Sequence, residues 1–376
     1  MKILVVSGIW PPDVGGPASH APDVADFLCE RGHAVEVVTT AWSPPARRAY
    51  RVSAVPRSIP PGLRHLRGAA LVYRRARQAD VVYTTGMFGR SFAGSTAAQR
   101  PYVVKLTADP AFERARRRGI VGGDVDRFQH VRGGAVLTLL RLARNAELRR
   151  AAHVFCPSAY LRDLTVSWGV PAERVSVLPN PYPPLPDMPP RDELRRRFSL
   201  NGRTLAFAGR LTAQKSLDVA LAAIATVDDV SLVVAGEGDQ RDLLERRAAE
   251  LGLSGRVRFL GAEPRDRVLE LFRAADAAVL SSSWENFPHS VVEALAVGTP
   301  VLATRVGGVE EVVRDGENGL LFPPGDAEAL AAGIRRYFDD ESLRDRLQAA
   351  AAGSVRAYDR QTLFGRLEHV LAAAGR

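Results

Sequence analysis

The chain has 376 residues, 46% of them hydrophobic and 25% charged, too long for one ordinary core and suited to two soluble domains. No apolar run approaches the roughly 18 residues of a membrane span, and the opening Met1-Lys2-Ile3-Leu4-Val5-Val6 reads as a first strand rather than a secretory leader. The formal net charge of +9 is unevenly placed: residues 1–183 hold 26 Lys and Arg against 13 Asp and Glu, and residues 184–376 hold 25 against 29.

Residues 3–7 are continuously apolar, as in a strand buried on both faces. A loop over 8–16 follows, then a helix over about 18–31 that Gly32-His33 closes, then a strand at 35–39. This is a βαβ opening. The pair Gly15-Gly16 lets backbone approach a ligand closely at a helix start, although such a pair is more often only a turn. It is not the GxGxxG fingerprint, so a nicotinamide cofactor is not expected. Further strands fall at 80–84, 102–106, 153–156 and 175–178, and helices at about 63–78, 88–99, 133–150 and 159–167. Strands alternating with helices imply a doubly wound parallel sheet.

Two stretches of this half are unusually basic. One holds Arg64, Arg67, Arg74, Arg75 and Arg77. The other runs from Arg114 through Arg116, Arg117 and Arg118 to a helix with Arg141, Arg144, Arg149 and Arg150 beside Leu137, Leu139, Leu140 and Leu142. A basic amphipathic helix can lie on an anionic membrane, and it can equally be a solvated face over a core-facing leucine stripe. The charge excess suggests an anionic partner, most simply phospholipid headgroups or a lipid-linked phosphate. Nucleic acid ranks low, because the arginines are not interleaved with aromatics. Asp109 lies just past a strand end and before Pro110, where it could form a turn. Asp124-Val125-Asp126 is formally a DxD but follows Gly122-Gly123, and it reads as a solvated turn. Cys29 and Cys156 are far apart and no CxxC or His/Cys cluster occurs, so we expect a reducing, cytoplasmic setting and no structural zinc.

Residues 179–190 are a proline-rich linker, stiff and unable to continue a helix or ladder. The α/β pattern then restarts with a strand at 204–208 and the loop Gly209-Arg210-Leu211-Thr212-Ala213-Gln214-Lys215-Ser216, with Ser216 available to cap the next helix. Arg210 and Lys215 are thereby delivered to a strand end beside a helix start, a place for anionic oxygens. Strands follow at 230–235, ending in Gly236-Glu237-Gly238-Asp239, at 256–260, ending in Gly261, and at 277–280, leaving through Ser281-Ser282-Ser283. A loop then holds Glu285, and a helix carries Glu293 to Gly298. Ser290-x-x-Glu293 is also a capping box, which would make Glu293 structural. A strand at 300–303, Gly307-Gly308-Val309-Glu310-Glu311, a turn at 315–319, an edge strand at 320–322 and helices at 327–338, 343–352 and about 361–374 complete the chain.

The run from Trp284 to Ala303, with Glu285 and Glu293 separated by seven residues, resembles the EX7E element of retaining GT-B glycosyltransferases of family 4. Gly209-Arg210-Leu211…Lys215-Ser216 resembles the family's Gly-Arg-Leu…Lys-Gly, with serine replacing glycine, and Gly307-Gly308-Val309-Glu310-Glu311 resembles its Gly-Gly-x-x-Glu. Lys105-Leu106-Thr107-Ala108-Asp109-Pro110-Ala111-Phe112-Glu113 partly matches the Lys-x-x-Gly-Asp-x-x-Trp-Glu segment of the bacterial polysaccharide and glycolipid type, with Ala108 for glycine and Phe112 for tryptophan. The resemblance implies two Rossmann-like doubly wound parallel-sheet domains facing across a cleft: an acceptor domain over 1–183, a donor domain over 184–355, and a last helix within 356–376 crossing back to the first.

It further implies that Arg210 and Lys215, with Gly15 and Gly16, hold the donor diphosphate. Glu285 and the backbone of Asn286, Phe287 and Pro288 would grip the donor sugar. Glu293 would hold the ribose, and backbone near Gly261 the base. Asp109 would touch acceptor or donor sugar, so that Asp109, Arg210, Lys215 and Glu285 form the catalytic set. The implied reaction is retaining transfer from a nucleotide-sugar to a hydroxyl, by front-face attack, with no metal and no cofactor. The expected acceptor is a lipid-linked or envelope glycan precursor, met at the inner face of the plasma membrane. A soluble acceptor such as an aglycone or inositol phosphate is the alternative, and a nucleotide-sugar epimerase on the same fold is the alternative of a different class.

Overall fold

Short apolar runs, each too brief to be anything but a strand covered on both faces, assemble into two parallel sheets. The computed structural model describes residues 1–13, 16–122, 125–131 and 133–376, with backbone only for 16–19. By internal contacts the chain divides into a first unit, Met1–Asn180 with Gln361–Arg376, and a second, Pro181–Arg360.

The first unit holds β1 (Lys2–Val6), β2 (Ala34–Ala41), β3 (Arg51–Pro56), β4 (Val81–Thr84), β5 (Tyr102–Lys105), β6 (His153–Cys156) and β7 (Val175–Val177). They form one parallel sheet in the order β3-β2-β1-β4-β5-β6-β7. Strand β3 escapes a search for apolar runs because it is a half-exposed edge strand with Arg51 at its start and Pro56 at its end. Helices Pro61–Ala76, Phe88–Ala97, Ala135–Arg149 and Ala159–Ser167 lie where the spacing predicts them. Two further helices, Pro110–Arg117 and Val125–His130, occupy a region with no helical expectation. Pro110 suits the first position of a helix, where the missing N–H is no loss. The DxD stretch is corrected accordingly: Asp124 lies outside the described residues, and Asp126 sits in the first turn of a helix, accepting a 2.7 Å bond from the Tyr160 hydroxyl.

The last helix, Arg360–Ala374, packs into this unit. Its Leu363, Phe364, Leu367 and Leu371 are buried, and the Phe364 ring meets Phe27 edge-on at 5.5 Å. Glu368 accepts from Arg31 at 3.1 Å and pairs with His33 at 2.8 Å.

The second unit holds β8 (Arg203–Ala208), β9 (Val230–Ala235), β10 (Val257–Gly261), β11 (Ala277–Leu280), β12 (Val301–Thr304) and β13 (Gly319–Phe322), parallel in the order β10-β9-β8-β11-β12-β13. Successive side chains of a strand point to opposite faces, and here both faces are core. Leu205, Phe207, Leu232, Val234, Val279 and Leu302 face helices Leu217–Ala225 and Ala327–Asp339. Ala206, Ala208, Val233, Ala278, Leu280 and Ala303 face helices Arg265–Ala274 and His289–Ala296. Each fully buried Leu, Val or Phe here contributes about 1.5–3 kcal/mol.

Lys105, the last residue of β5, has no exposed surface, and its ammonium group donates to the Leu178 carbonyl just past β7. Burial pulls its pKa from 10.5 down to about 7. The unfolded chain keeps that proton up to about 10.5, so between the two values it holds more protons than the folded state, and stability rises with pH. The melting temperature should therefore climb between pH 7 and pH 10, and Lys105→Met should lose that component of the slope. Equal slopes in parallel thermal melts would show that the ammonium stays charged inside.

Candidate active site

In the order β10-β9-β8-β11-β12-β13, the chain moves outward one way from β8 and the other way from β11. The two strands flank the point where an open α/β sheet accepts ligands at its carboxyl edge. The loop after β8 (209–216) and the loop after β11 (281–288) therefore lie side by side. They are stitched together by backbone and side chain: Gln214 Nε2 donates to the Trp284 carbonyl at 2.7 Å, Ser283 N to the Gln214 carbonyl at 2.9 Å, and Ser281 Oγ to the Lys215 carbonyl at 3.1 Å.

Across this seam Lys215 Nζ donates to Glu285 Oε1 at 2.5 Å, and Ser282 Oγ donates to the same oxygen at 2.7 Å. Both partners are largely buried, with side chains 18% and 8% exposed. Buried charges tolerate desolvation only when paired and hydrogen-bonded, and this pair is both. It is also incompletely used. The ammonium has two more protons, and Glu285 Oε2 accepts nothing from the described residues. The guanidinium of Arg210, at the mouth of the same loop, is exposed and has no hydrogen bond or ion pair among the described residues. Leu211 beside it is fully buried, and its N–H donates to the Glu237 carbonyl at 2.9 Å, so Arg210 projects from an anchored backbone.

Glycine fixes both loops from below. A Cβ on Gly236 would stand 1.9 Å from the Gly209 carbonyl oxygen, and one on Gly307 would stand 1.9 Å from that of Glu285. Gly307 also has φ +47°, and Gly308 N donates to the Glu285 carbonyl at 3.2 Å. Ser216 is corrected from its expected part. It stands before helix Leu217–Ala225 in the left-handed conformation, φ +45°, with its hydroxyl on the Ala213 carbonyl at 3.2 Å and not on the helix N–H groups. A left-handed φ explains why glycine suits this position.

Glu293 Oε1 accepts from Arg265 Nε at 3.1 Å and Nη2 at 2.8 Å. Arg265 opens the helix four residues past Gly261, so the end of β10 and the helix bearing Glu293 are joined by this fork. Burial raises the Glu293 pKa although Arg265 opposes it. The capping-box alternative fails, because helix His289–Ala296 starts at His289 behind Pro288, which leaves Ser290 already inside it and makes no side-chain cap. Gly261 gives its carbonyl to Gly236 N at 2.7 Å. Phe287 and Pro288 are buried, and the Phe287 ring belongs to the core with Val291 and Val309. Residues 286–288 thus offer backbone, with a phenyl ring committed to packing.

The structure encloses Asp109 in the interior of the first unit. Its side chain has no exposed surface. Oδ1 caps helix Pro110–Arg117, accepting from Ala111 N at 2.8 Å and Phe112 N at 3.3 Å, while Oδ2 accepts from Arg144 at 2.7 Å and Gln129 at 3.1 Å. Arg144 in turn lies 3.8 Å over the Trp168 ring. Aspartate before a proline is a cap in an interior network here, which corrects the catalytic expectation. Gly16 opens the helix after β1, and Gly15 lies outside the described residues. Sequence inspection missed Gln214, Ser282 and Arg265. The first two neighbour flagged residues, whereas nothing local to Arg265 foretells its partner 28 residues on.

The chain has recognisable relatives. Residues 191–353 match the family Glycosyl transferases group 1, and residues 14–184 match Glycosyltransferase Family 4. An uncharacterized glycosyltransferase of Methanocaldococcus jannaschii is 27% identical over 370 residues, 92% of this chain and 91% of its own. The lipopolysaccharide core biosynthesis glycosyltransferase LpsE of Rhizobium meliloti is 42% identical over 139 residues, 37% of this chain and 40% of its own. The crystal structure of Anabaena HepE in complex with UDP superposes with a TM-score of 0.82 at 23% identity, covering 99% of this chain and all of that one. Two Rossmann-like units of seven and six parallel strands are the fold of GT-B glycosyltransferases. Glycosyltransferase models thus cover both halves of the chain, the group 1 model the second half, and the chain is a glycosyltransferase.

Two substitutions separate the structural residues from the rest. Asp109→Ala breaks a buried ion pair and should cost about 3–5 kcal/mol in denaturant unfolding; a near-neutral result would return Asp109 to the substrate-contacting set. Gly307→Ala should cost about 1–3 kcal/mol through overpacking and should also weaken nucleotide binding, since the displaced atom is the Glu285 carbonyl. Unchanged melting and unchanged ligand protection would mean the loop can shift freely.

Proposed function

We propose that the second unit binds a nucleotide-diphosphate sugar and that the enzyme transfers its sugar to a hydroxyl with retention of configuration. The observation that carries this is the half-used Lys215–Glu285 pair at the sheet's switch point, with the unpartnered Arg210 guanidinium on the same loop. Arg210 and the spare protons of Lys215 meet the diphosphate, and they stabilise the charge that grows on it as the sugar leaves. Such preorganised charge needs no rearrangement at the moment of reaction. Glu285 Oε2 and the backbone of 286–288 take the sugar hydroxyls. Glu293, held in place by Arg265, takes the ribose, with the base beside Gly261. The bond from the anomeric carbon to the phosphate oxygen breaks as the acceptor oxygen attacks from the same face, and the acceptor proton passes to the departing phosphate. In this scheme the positive charge comes from side chains and calls on no metal. The crystal structures of Anabaena HepE in complex with UDP and with UDP-glucose support a uridine donor as the first to try.

For the acceptor we favour a lipid-linked or envelope glycan precursor, reached at an anionic membrane face. Among the described residues, most exposed large hydrophobic side chains belong to the first unit: Trp42, Leu63, Leu66, Ile120, Val136, Leu139 and Leu142. On helix Ala135–Arg149, Leu137 and Leu140 are buried while Val136, Leu139 and Leu142 face outward beside arginines, so the leucine stripe is only partly core. Among the described residues no helix is long and apolar enough to cross a membrane. The relative LpsE, named for lipopolysaccharide core biosynthesis, agrees with this choice.

The test is a thermal-shift screen of UDP-, GDP-, ADP- and dTDP-sugars against the wild type, Arg210→Ala and Lys215→Ala. One donor should stabilise the wild type, by about 2.7 kcal/mol at a hundred times its Kd. Each variant should bind it at least about tenfold more weakly, the scale of a charge-assisted hydrogen bond. Wild-type affinity in both variants would remove these residues from the site.

A further inference from the structure

Four arginines from four different elements converge at the carboxyl edge of the first sheet, around the ends of β1 and β4. Arg57, just past β3, donates to the Gly8 carbonyl at 2.7 Å and to Thr40 Oγ1 at 3.3 Å. Arg64, in the first turn of helix Pro61–Ala76, donates to the Arg57 carbonyl at 2.9 Å. Arg90, in the first turn of helix Phe88–Ala97, packs against Gly68, where a Cβ would stand 2.7 Å from its Cδ. Arg114 reaches in from helix Pro110–Arg117 to Glu147 Oε2 at 3.4 Å. In the order β3-β2-β1-β4-β5-β6-β7, β1 and β4 flank the switch point of this sheet.

The charges here do not balance within the protein. Asp13 faces Arg57 at 3.5 Å and Glu147 faces Arg114 at 3.4 Å. Arg64 and Arg90 have no carboxylate partner among the described residues, and Arg90 Nη1 is buried without any hydrogen-bond partner. Burial, and after it the neighbouring charges of Arg64, Arg114 and Arg57, together lower the Arg90 pKa to about 10. A half-buried guanidinium with one buried nitrogen unsatisfied, set among like charges, is an unfavourable arrangement for the protein alone. A bound dianion removes the penalty. The guanidinium fork matches phosphate oxygens, and the start of helix Phe88–Ala97 points free N–H groups to the same edge.

We propose that Arg57, Arg64, Arg90 and Arg114 form a site for the phosphate group of a phosphorylated acceptor, with Arg64 and Arg90 supplying the two charges that the protein leaves unmatched. This rests on the proposed transfer to an acceptor held by the first unit. The phosphate can belong to a lipid carrier or to a soluble sugar or cyclitol phosphate; the recognition chemistry is common to both. The four arginines all belong to the first unit.

Inorganic phosphate is the probe. The wild type should show saturable thermal stabilisation by phosphate, and Arg64→Gln and Arg90→Gln should each weaken it at least about tenfold while keeping nucleotide-sugar protection intact. Without phosphate, Arg90→Gln should melt no lower than the wild type, because it removes an unpaired charge; should it fail to fold, Arg64→Gln carries the test. Phosphate binding that survives in both variants, or that vanishes only in Lys215→Ala, would overturn the site. Phosphate binding lost in the arginine variants of a protein that binds no nucleotide-sugar would keep the site and sink the donor reading instead. Vesicles of phosphatidylcholine with and without phosphatidate separate the sources: competition by phosphatidate vesicles assigns the phosphate to a lipid, and its absence assigns it to a soluble acceptor.

Discussion

The second unit depends on one contact, the bridge from Lys215 to Glu285 across the seam between β8 and β11. Two strands adjacent in the sheet but separated by about 70 residues of chain must present their loops in a fixed relation. Parallel strands cannot achieve this with a tight hairpin, so the relation is set by side chains and backbone at the seam. A lysine suits the position better than the arginine this chain otherwise prefers. Its ammonium is a compact charge with three donors on a flexible stem, able to hold a carboxylate while offering protons elsewhere. An arginine fork would lie flat against Glu285 and spend its donors there.

The remaining geometry follows from holding that bridge rigid. Carbonyl oxygens of Gly209 and Glu285 lie so close to Gly236 and Gly307 that no side chain fits between them. The loops rest on backbone, which has no rotamers to relax. Rigid support matters because electrostatic stabilisation works only when the charges need not reorganise. Glu293 is treated alike: Arg265 takes one oxygen in a fork, and the other accepts no hydrogen bond from the described residues. In both carboxylates one oxygen is spent on the fold and the second keeps its acceptor capacity among the described residues, so each is structural and available at once.

Much of this was legible in the sequence, for definite reasons. Strands β8, β9, β11 and β12 are buried on both faces, so their apolar runs stand out from the helices between them. Strand β3 has one half-exposed edge position after another and gives no such run. Arg210, Lys215, Glu285 and Glu293 were visible because their neighbours form recognisable local patterns. Arg265 was not, since its meaning depends on a partner from another element. Asp109 shows the opposite failure: its local pattern looked functional, but Arg144 and Gln129 arrive from later helices and enclose it. Local sequence can report which residue types stand at a strand end. It cannot report whether a distant side chain will neutralise them.

That limit bears most on the arginines. Many of them are structural hydrogen-bond donors to carbonyls at helix and strand ends, as Arg195 is to Ala274, Arg256 to Val227 and Arg273 to Val297. Others neutralise a nearby carboxylate, as Arg191 does Asp276. A net charge therefore overstates the positive surface offered to a ligand. The informative cations are those that fold formation leaves unanswered at the carboxyl edge of a sheet. There are such cations in both units, Arg210 at one switch point and Arg90 with Arg64 at the other. Open parallel sheets collect helix N-termini at that edge, so its backbone already favours anions. An arginine left unpaired there adds to that field, and elsewhere on the surface it would only be solvated. The same residue type thus serves as mortar or as binding group, and its position relative to the sheet decides which.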